Sequence, residues 1–335
     1  MKLFSTETCA SLPLISPKLV DEIVTAPRTA EAHRAFMSKI PALHLLERCE
    51  DVAYDHCLPE NMTVLAWNLE RCISPMSSAQ RIAQYSPDIV LLSEMDCGMS
   101  RTQQQHTTKL LADNLNMNYI FGVEFFEIGL GSGPELEFAE DDFNACGWHG
   151  NAILSKVPAK FMALIRLDDH GHWYCMSDGT DQNQPRIGGR MAVAAIYPSE
   201  KGDVCFVSTH LESAGSISIR QSQIDRIISA VDTFAPGLPV ICGGDLNTGN
   251  NLADFDWKRE TLFEAAERQD FDWSCNAEGT TTRPSKLTRF PDRAMKLDWF
   301  MKRGLIGKDP KIIPALDRNK EPISDHELIA ATFSV

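Results

Sequence analysis

The sequence predicts an α/β sandwich with helices on its outer faces. Ten short β-type runs recur from Met62 onward, and amphipathic stretches with helical spacing lie between some of them. Polar residues gather where the apolar runs stop, so each run reads as a buried strand delivering a functional end to one edge of a sheet. Short strands interleaved with helices bury their apolar faces by layering.

Ser16-Pro17 has the form of an N-cap followed by Pro at the first helical position, leading into Leu19, Val20, Ile23 and Val24. Thr29 caps a second expected helix that ends before Pro41, and residues 42–53 are read as a third. No β-rich stretch precedes Met62. Residues 1–60 are therefore expected to form an N-terminal helical extension packed on a main domain of residues 61–335. Strands are expected over 63–67, 88–92, 118–126, 151–154, 161–167, 191–197, 204–209, 239–242, 297–301 and 328–333. Ile217, Ile224, Ile227, Ile228 and Val231 mark one helix, and 104–116 contains another. Residues 129–142 and 168–184 read as loops.

Composition narrows the function. The 335 residues are 43% hydrophobic and 23% charged, an ordinary globular balance that supports a sizeable core. The net charge of −14 disfavours sequence-independent nucleic-acid binding and contact with anionic membranes. Phosphate chemistry on such a chain needs a local device, a metal or a small basic patch. The longest apolar runs are far short of the roughly 18–20 residues of a membrane span, and residues 3–15 make a poor signal peptide, so a cytoplasmic protein without membrane insertion is expected. Ten scattered cysteines with no C-x-x-C pair read as free thiols.

The strand ends carry the chemistry. They read Trp67-Asn68-Leu69-Glu70, Ser93-Glu94-Met95-Asp96, Thr209-His210-Leu211-Glu212, Asp245-Leu246-Asn247, Leu297-Asp298-Trp299 and Ser324-Asp325-His326. Any one of these carboxylates, taken alone, reads as a turn or helix cap. Six such ends in one chain form a pattern.

Those motifs, in that order, resemble the endonuclease/exonuclease/phosphatase superfamily of metal-dependent phosphoesterases over roughly residues 62–335. The "WN" asparagine falls on Asn68, the acid two positions later on Glu70, and the "LSE" glutamate on Glu94. The "GNAILS" strand is 150–155, with Asn151 second in it. The arginine of the following phosphate-facing strand is Arg190, the "THL" histidine is His210, and the "GDLN" pair is Asp245 and Asn247. The "LDW" aspartate is Asp298, and the terminal pair is Asp325-His326. The resemblance implies a four-layer α/β/β/α sandwich with two packed mixed sheets, and hydrolysis by in-line attack of an activated water. Its roles carried over are Asn68, Glu70, Glu94 and Asp325 toward a metal, and His210, Asp245, Asn247, Asp298 and His326 in catalysis. Asn151 and Arg190 are candidate substrate-binding residues, to which Arg101 and His149 are added by their places beside Glu94 and Asn151.

Residue types agree with that implication. Oxygen donors without a thiolate suit Mg²⁺ or Mn²⁺ rather than zinc. Such a cation would neutralise a phosphate or leaving-group oxygen, and a carboxylate beside an imidazole favours imidazolium. The two histidines point toward the deoxyribonuclease, sphingomyelinase and inositol-phosphatase branches. A small or single-stranded phosphate ester is the expected substrate. Cleavage of DNA or RNA is the alternative within the enzyme class, and a non-catalytic phosphate binder on the same scaffold is the alternative outside it. A zinc site at Asp168–His172 is disfavoured by ligand spacing. The basic stretch 283–303 is a candidate for steering phosphate, while Trp148, Trp173, Trp257 and Trp273 are either core or an aromatic wall. No protein partner is inferable.

Overall fold

The computed structural model describes residues 2–50, 52, 56–176, 184–289 and 294–335. The chain begins with β1 (Thr8–Cys9), α1 (Pro17–Thr25), α2 (Ala30–Lys39) and β2 (Leu46–Cys49), then enters the first long strand, β3 (Met62–Arg71). Next come α3 (Pro75–Ala83), β4 (Ile89–Cys97), α4 (Thr107–Leu115), β5 (Asn118–Glu127), β6 (Trp148–Ser155), β7 (Phe161–Arg166), β8 (Arg186–Gly188) and β9 (Met191–Ser199). Then follow β10 (Gly202–His210), α5 (Ile217–Phe234), β11 (Val240–Asp245), α6 (Leu262–Glu267), β12 (Asp298–Arg303), β13 (Ile306–Ile313) and β14 (Leu328–Ser334). One mixed sheet has the order β1-β2-β5-β6-β4-β3-β14-β13, with β8 also on β5; the other runs β12-β11-β10-β9-β7.

The two-residue alternation of each strand sets the layers. On β3, Val64 and Ala66 face the second sheet and meet Val193, Phe206, Ile241 and Phe300, while Leu65, Trp67 and Leu69 join the opposite core. The outer face of the second sheet is closed by Ile224, Ile227, Ile228 and Val231 of α5 with Leu262 and Ala266 of α6. This is the four-layer sandwich the motifs implied. Among the described residues no helix is long and apolar enough to cross a membrane.

All ten expected strands form. Four others do not announce themselves: β1 and β8 are very short, β2 lies inside the third expected helix, and β13 lies at the sheet edge with mostly exposed side chains and no apolar alternation. The first two helices are capped as their sequences signal, Ser16 Oγ accepting from Leu19 N at 3.3 Å and Thr29 Oγ1 from Ala32 N at 3.2 Å. The helix expected over 42–53 is absent. Pro41–His44 makes a single 3₁₀ turn, and Leu46–Cys49 pairs antiparallel with β5, Leu46 opposite Gly122 and Cys49 opposite Tyr119. An unpaired sheet edge outweighs weak helical spacing; residues 51 and 53 lie outside the described residues. The N-terminal segment also reaches the site wall. His33 of α2 is buried, its Nε2 2.8 Å from the carbonyl of Gly188, two residues before Arg190.

Candidate active site

Sheet register alone assembles the centre. His210 lies opposite Asp245 across β10 and β11, and Asp245 lies opposite Asp298 across β11 and β12, so three polar side chains share one rung. Gly244 makes that rung possible: at φ +144°, a Cβ there would sit 2.0 Å from the Thr209 carbonyl oxygen. From the larger sheet, β3 and β4 break register between Asn68 and Arg71, and β4 and β6 break it between Leu92 and Met95. These bulges place Glu70 and Glu94 in left-handed conformations (φ 45° and 57°) and bring both to the cleft. Ser324 Oγ donates to the Asn68 carbonyl at 2.7 Å, and Trp67 Nε1 donates to that of His326 at 2.8 Å, tying the last motif to the first.

The cleft has a volume of about 380 Å³. His326 Nδ1 donates to Asp298 Oδ2 at 2.8 Å, and His326 Nε2 lies 3.6 Å from Asp245 Oδ2. Burial opposes the imidazolium, but Asp298, Asp245 and Asp325 outweigh it and hold the His326 pKa well above its ordinary value. Burial, reinforced by Asp298, pushes the Asp245 carboxyl up to about 7. Its oxygens accept from Asn247 N at 2.8 Å and Asn68 Nδ2 at 3.1 Å, while Asn247 Nδ2 is anchored on the Leu211 carbonyl at 3.0 Å. Asp245, Asp298 and His326 are the one group of three metal-capable side chains whose ligand atoms lie within 4.8 Å of one another, among the described residues. The Nδ1–H bond to Asp298 makes it an acid–base pair rather than a cation cage.

His210 differs. Burial first, then the Arg190 guanidinium, hold its pKa well below the ordinary imidazole value. Arg190 Nη1 can only donate, so His210 Nδ1 accepts that 2.9 Å bond and the proton resides on Nε2, 3.4 Å from Asp245 Oδ2. His210 is thus a neutral donor aimed into the cleft. Arg190 is engaged throughout: Nη1 also donates to Glu124 Oε1 at 2.6 Å, Nε to Glu212 Oε2 at 3.4 Å and Nη2 to Ser213 Oγ at 3.2 Å. The structure places it as the group that fixes the His210 tautomer, with no open fork for phosphate.

Glu70, Glu94 and Asp325 form the acidic side. Glu70 Oε1 accepts from Ser285 Oγ at 2.5 Å and Oε2 from Asp325 N at 3.1 Å. Burial, with Asp325 and Glu94 adding to it, pushes the Glu70 carboxyl up to about 8. Burial disfavours the Glu94 anion as well, but the Arg71 guanidinium in contact with it outweighs this and holds its pKa well below the usual range. Crowded carboxylates, an amide oxygen nearby and no thiolate lining the cleft among the described residues fit a hard divalent cation. Because the folded pKa of Glu70 lies above its unfolded value, its stabilising contribution is complete below about pH 4.5 and is lost as pH rises through about 8. Glu70→Gln, measured by thermal unfolding in chelator, is therefore expected to raise Tm by a few degrees at pH 8.5 and by almost nothing at pH 4.5. A Tm gain independent of pH would contradict this electrostatic reading.

The other candidates divide. His149 lines the cleft, its Nδ1 donating to Asp96 Oδ1 at 2.8 Å. Asn151 is fully buried, donating to the Met191 carbonyl at 2.9 Å, so it joins β6 to β9 rather than facing substrate. Arg101, a candidate substrate contact by sequence, is completely buried between Asp96 (2.8 and 2.9 Å) and Glu127 (2.7 Å) and does not line the cleft. His170 is exposed and belongs to no metal-capable group of three among the described residues. Trp148 packs in the core on Phe126, while Trp257 and Trp273 stack around Trp299 elsewhere. Of those four tryptophans, Trp173 alone lines the cleft. In the basic stretch, Arg283 is paired with Glu327 and Arg289 with Glu137; residues 290–293 lie outside the described residues. Sequence reading assigns no role to Arg71, Glu124, Glu135 or Glu212, although Glu212 stands in a polar strand end. Glu124 left a signal, a charge in the middle of the apolar run 118–126 that required a buried partner.

A two-sheet sandwich with carboxylates, an Asp–His pair and a neutral histidine at one edge defines a phosphoesterase-type hydrolytic scaffold. Residues 65–326 match the model of the Endonuclease/Exonuclease/phosphatase family, and the chain belongs to that family. None of the curated proteins matches the sequence. Among solved structures, it is similar to an endonuclease/exonuclease/phosphatase from Beutenbergia cavernae, at 16% identity over 82% of this chain and 72% of that one, with a TM-score of 0.55. It is also similar to the human Nocturnin catalytic domain with bound sulfate, at 16% identity over 86% and 96% with a TM-score of 0.52. A mannosyl-6-phosphatase from Bacteroides thetaiotaomicron matches at 14% identity over 82% and 100%, with a TM-score of 0.53. These likenesses share the fold.

Proposed function

We propose that the protein is a Mg²⁺- or Mn²⁺-dependent hydrolase of a small or single-stranded phosphate ester. The observation that carries this reading is the rung His210–Asp245–Asp298, completed by His326, facing Glu70, Glu94 and Asp325 across one cleft. Glu94 would hold the cation, with Asn68, Glu70 and Asp325 around it, and the cation would supply Lewis-acid stabilisation of the phosphate. Asp245 takes the proton of the attacking water. Asn247 orients that water or a phosphate oxygen, and His326 donates from Nε2 while Asp298 holds its other nitrogen. His210 adds a second, neutral Nε2–H donor, to the phosphate or to the leaving oxygen as its bond to phosphorus breaks. Positioning and charge stabilisation suffice for in-line displacement.

Substrate size follows from the volume and charge of the cleft. About 380 Å³ accommodates a single ester headgroup, and the net charge of −14 disfavours a long polyanion. A nucleotide ester is the second reading, favoured by the partly exposed Trp173 on the cleft wall beside Arg186, whose guanidinium lies 5.0 Å from the ring centroid.

The test is hydrolysis of bis(p-nitrophenyl) phosphate, p-nitrophenyl phosphate and a fluorescent oligonucleotide with Mg²⁺, Mn²⁺ or EDTA. Activity is expected with either metal and is expected to vanish in EDTA. Glu94→Gln is expected to lower kcat/KM about 10²-fold or more and to raise the metal concentration required. Turnover that persists in EDTA overturns the proposal.

A further inference from the structure

Arg71 occupies a position that the catalytic roles above leave unexplained. Glu70, Arg71 and Cys72 are consecutive non-glycine residues with φ of 45°, 72° and 54°. Such conformations are strained for residues that carry a Cβ and persist where surrounding structure enforces them. The turn they make sets the Arg71 guanidinium between two carboxylates, Glu94 through Nη1 and Glu135 through Nε at 2.7 Å.

We infer that Arg71 is the phosphate-binding residue of this site, held as the counter-ion of Glu94 until a divalent cation takes that carboxylate. The inference rests on the metal-dependent reading above. Three arginines line the cleft: Arg71, Arg186 and Arg190. Arg190 has all its nitrogens engaged, and Arg186 is paired with Glu127 at 3.2 Å and packed on Trp173. Arg71 engages Nε and Nη1; its Nη2 has no partner among the described residues. Glu135 is a fixed anchor, since its other oxygen accepts from Ser132 N at 3.0 Å in a capping box.

One carboxylate does not serve a guanidinium and a divalent cation with equal strength. When the cation takes Glu94, Nη1 is freed while the Nε–Glu135 bond keeps the guanidinium at the cleft. Both η nitrogens then present the planar fork that suits two phosphate oxygens. Arg71 is thereby placeholder and ligand in turn, and the exchange makes removal of Arg71 act oppositely on metal binding and on turnover.

The experiment is a Mn²⁺ titration, by electron paramagnetic resonance without substrate, of the wild type, Arg71→Met, Arg71→Lys and Glu94→Gln, with kinetics on bis(p-nitrophenyl) phosphate. Arg71→Met is expected to bind Mn²⁺ about five- to ten-fold more tightly while kcat falls about 10²-fold. Arg71→Lys keeps the charge without the fork, so Mn²⁺ affinity stays near that of the wild type while kcat still falls, and this variant carries the test if Arg71→Met does not fold. Unchanged or weaker Mn²⁺ binding in Arg71→Met, or full turnover in either variant, overturns the inference. Wild type that binds no more Mn²⁺ than Glu94→Gln overturns the metal reading itself, a separate result.

Discussion

Asp245→Asn is expected to lower kcat/KM by about 10³-fold or more while the protein stays folded. The carboxylate lies between both imidazoles, 3.4 Å from His210 Nε2 and 3.6 Å from His326 Nε2, and carries the proposed proton acceptor. An amide keeps an oxygen for the Asn247 backbone donor but cannot take a proton. Asp245, with its pKa pushed up to about 7, must be ionised to act, so kcat/KM is expected to rise with pH through about 7. A cation bound at Glu94 would move this limb lower. The profile then falls where His326, raised well above its ordinary pKa, loses its proton. Residual activity of Asp245→Asn should lack the acidic limb. An unchanged limb in the variant would assign it to another group and remove Asp245 from the base role.

The largest expected effect on stability belongs to Arg101. Its side chain is fully buried with those of Asp96 and Glu127, and Glu135 lies 3.5 Å from Nη1. Arg101→Met removes the guanidinium that Asp96 and Glu127 share, leaving Asp96 with the His149 donor and Glu127 with Arg186; breaking such a buried ion-pair network typically costs about 3–5 kcal/mol. Urea denaturation is expected to show a lowered midpoint or a chain that does not fold. For whatever fraction folds, KM should stay close to the wild type. A variant of normal stability with a raised KM would return Arg101 to substrate binding.

These two residues show where sequence reading reaches and where it stops. Asp245 closes the apolar run of β11 and Asp298 opens that of β12, so the local pattern places each at a strand end whatever the neighbouring strand is. Arg101 and Arg190 are equally visible as residues, yet their duties depend on partners. Arg190 meets Glu124, 66 positions away, and the pair then decides which nitrogen of His210 carries its proton. Nothing local to any of the three dictates that. Leu46–Cys49 is the same lesson in the backbone: weak helical spacing gives way because β5 offers an edge.

By itself, the sequence determined the layers, the ten principal strands, the identity of the polar residues at their ends and, through those motifs, the family. The strands and the polar residues at their ends follow from local periodicity and residue type, while the four layers and the family are what the resemblance of those motifs implies. Only the tertiary structure decided which charges meet: Arg190 turned toward Glu124 and Glu212, Arg101 sealed between Asp96 and Glu127, Arg71 laid on Glu94. The reason is physical. A buried guanidinium takes whichever carboxylates sheet register brings within about 3 Å, and register is a property of strands distant in the chain.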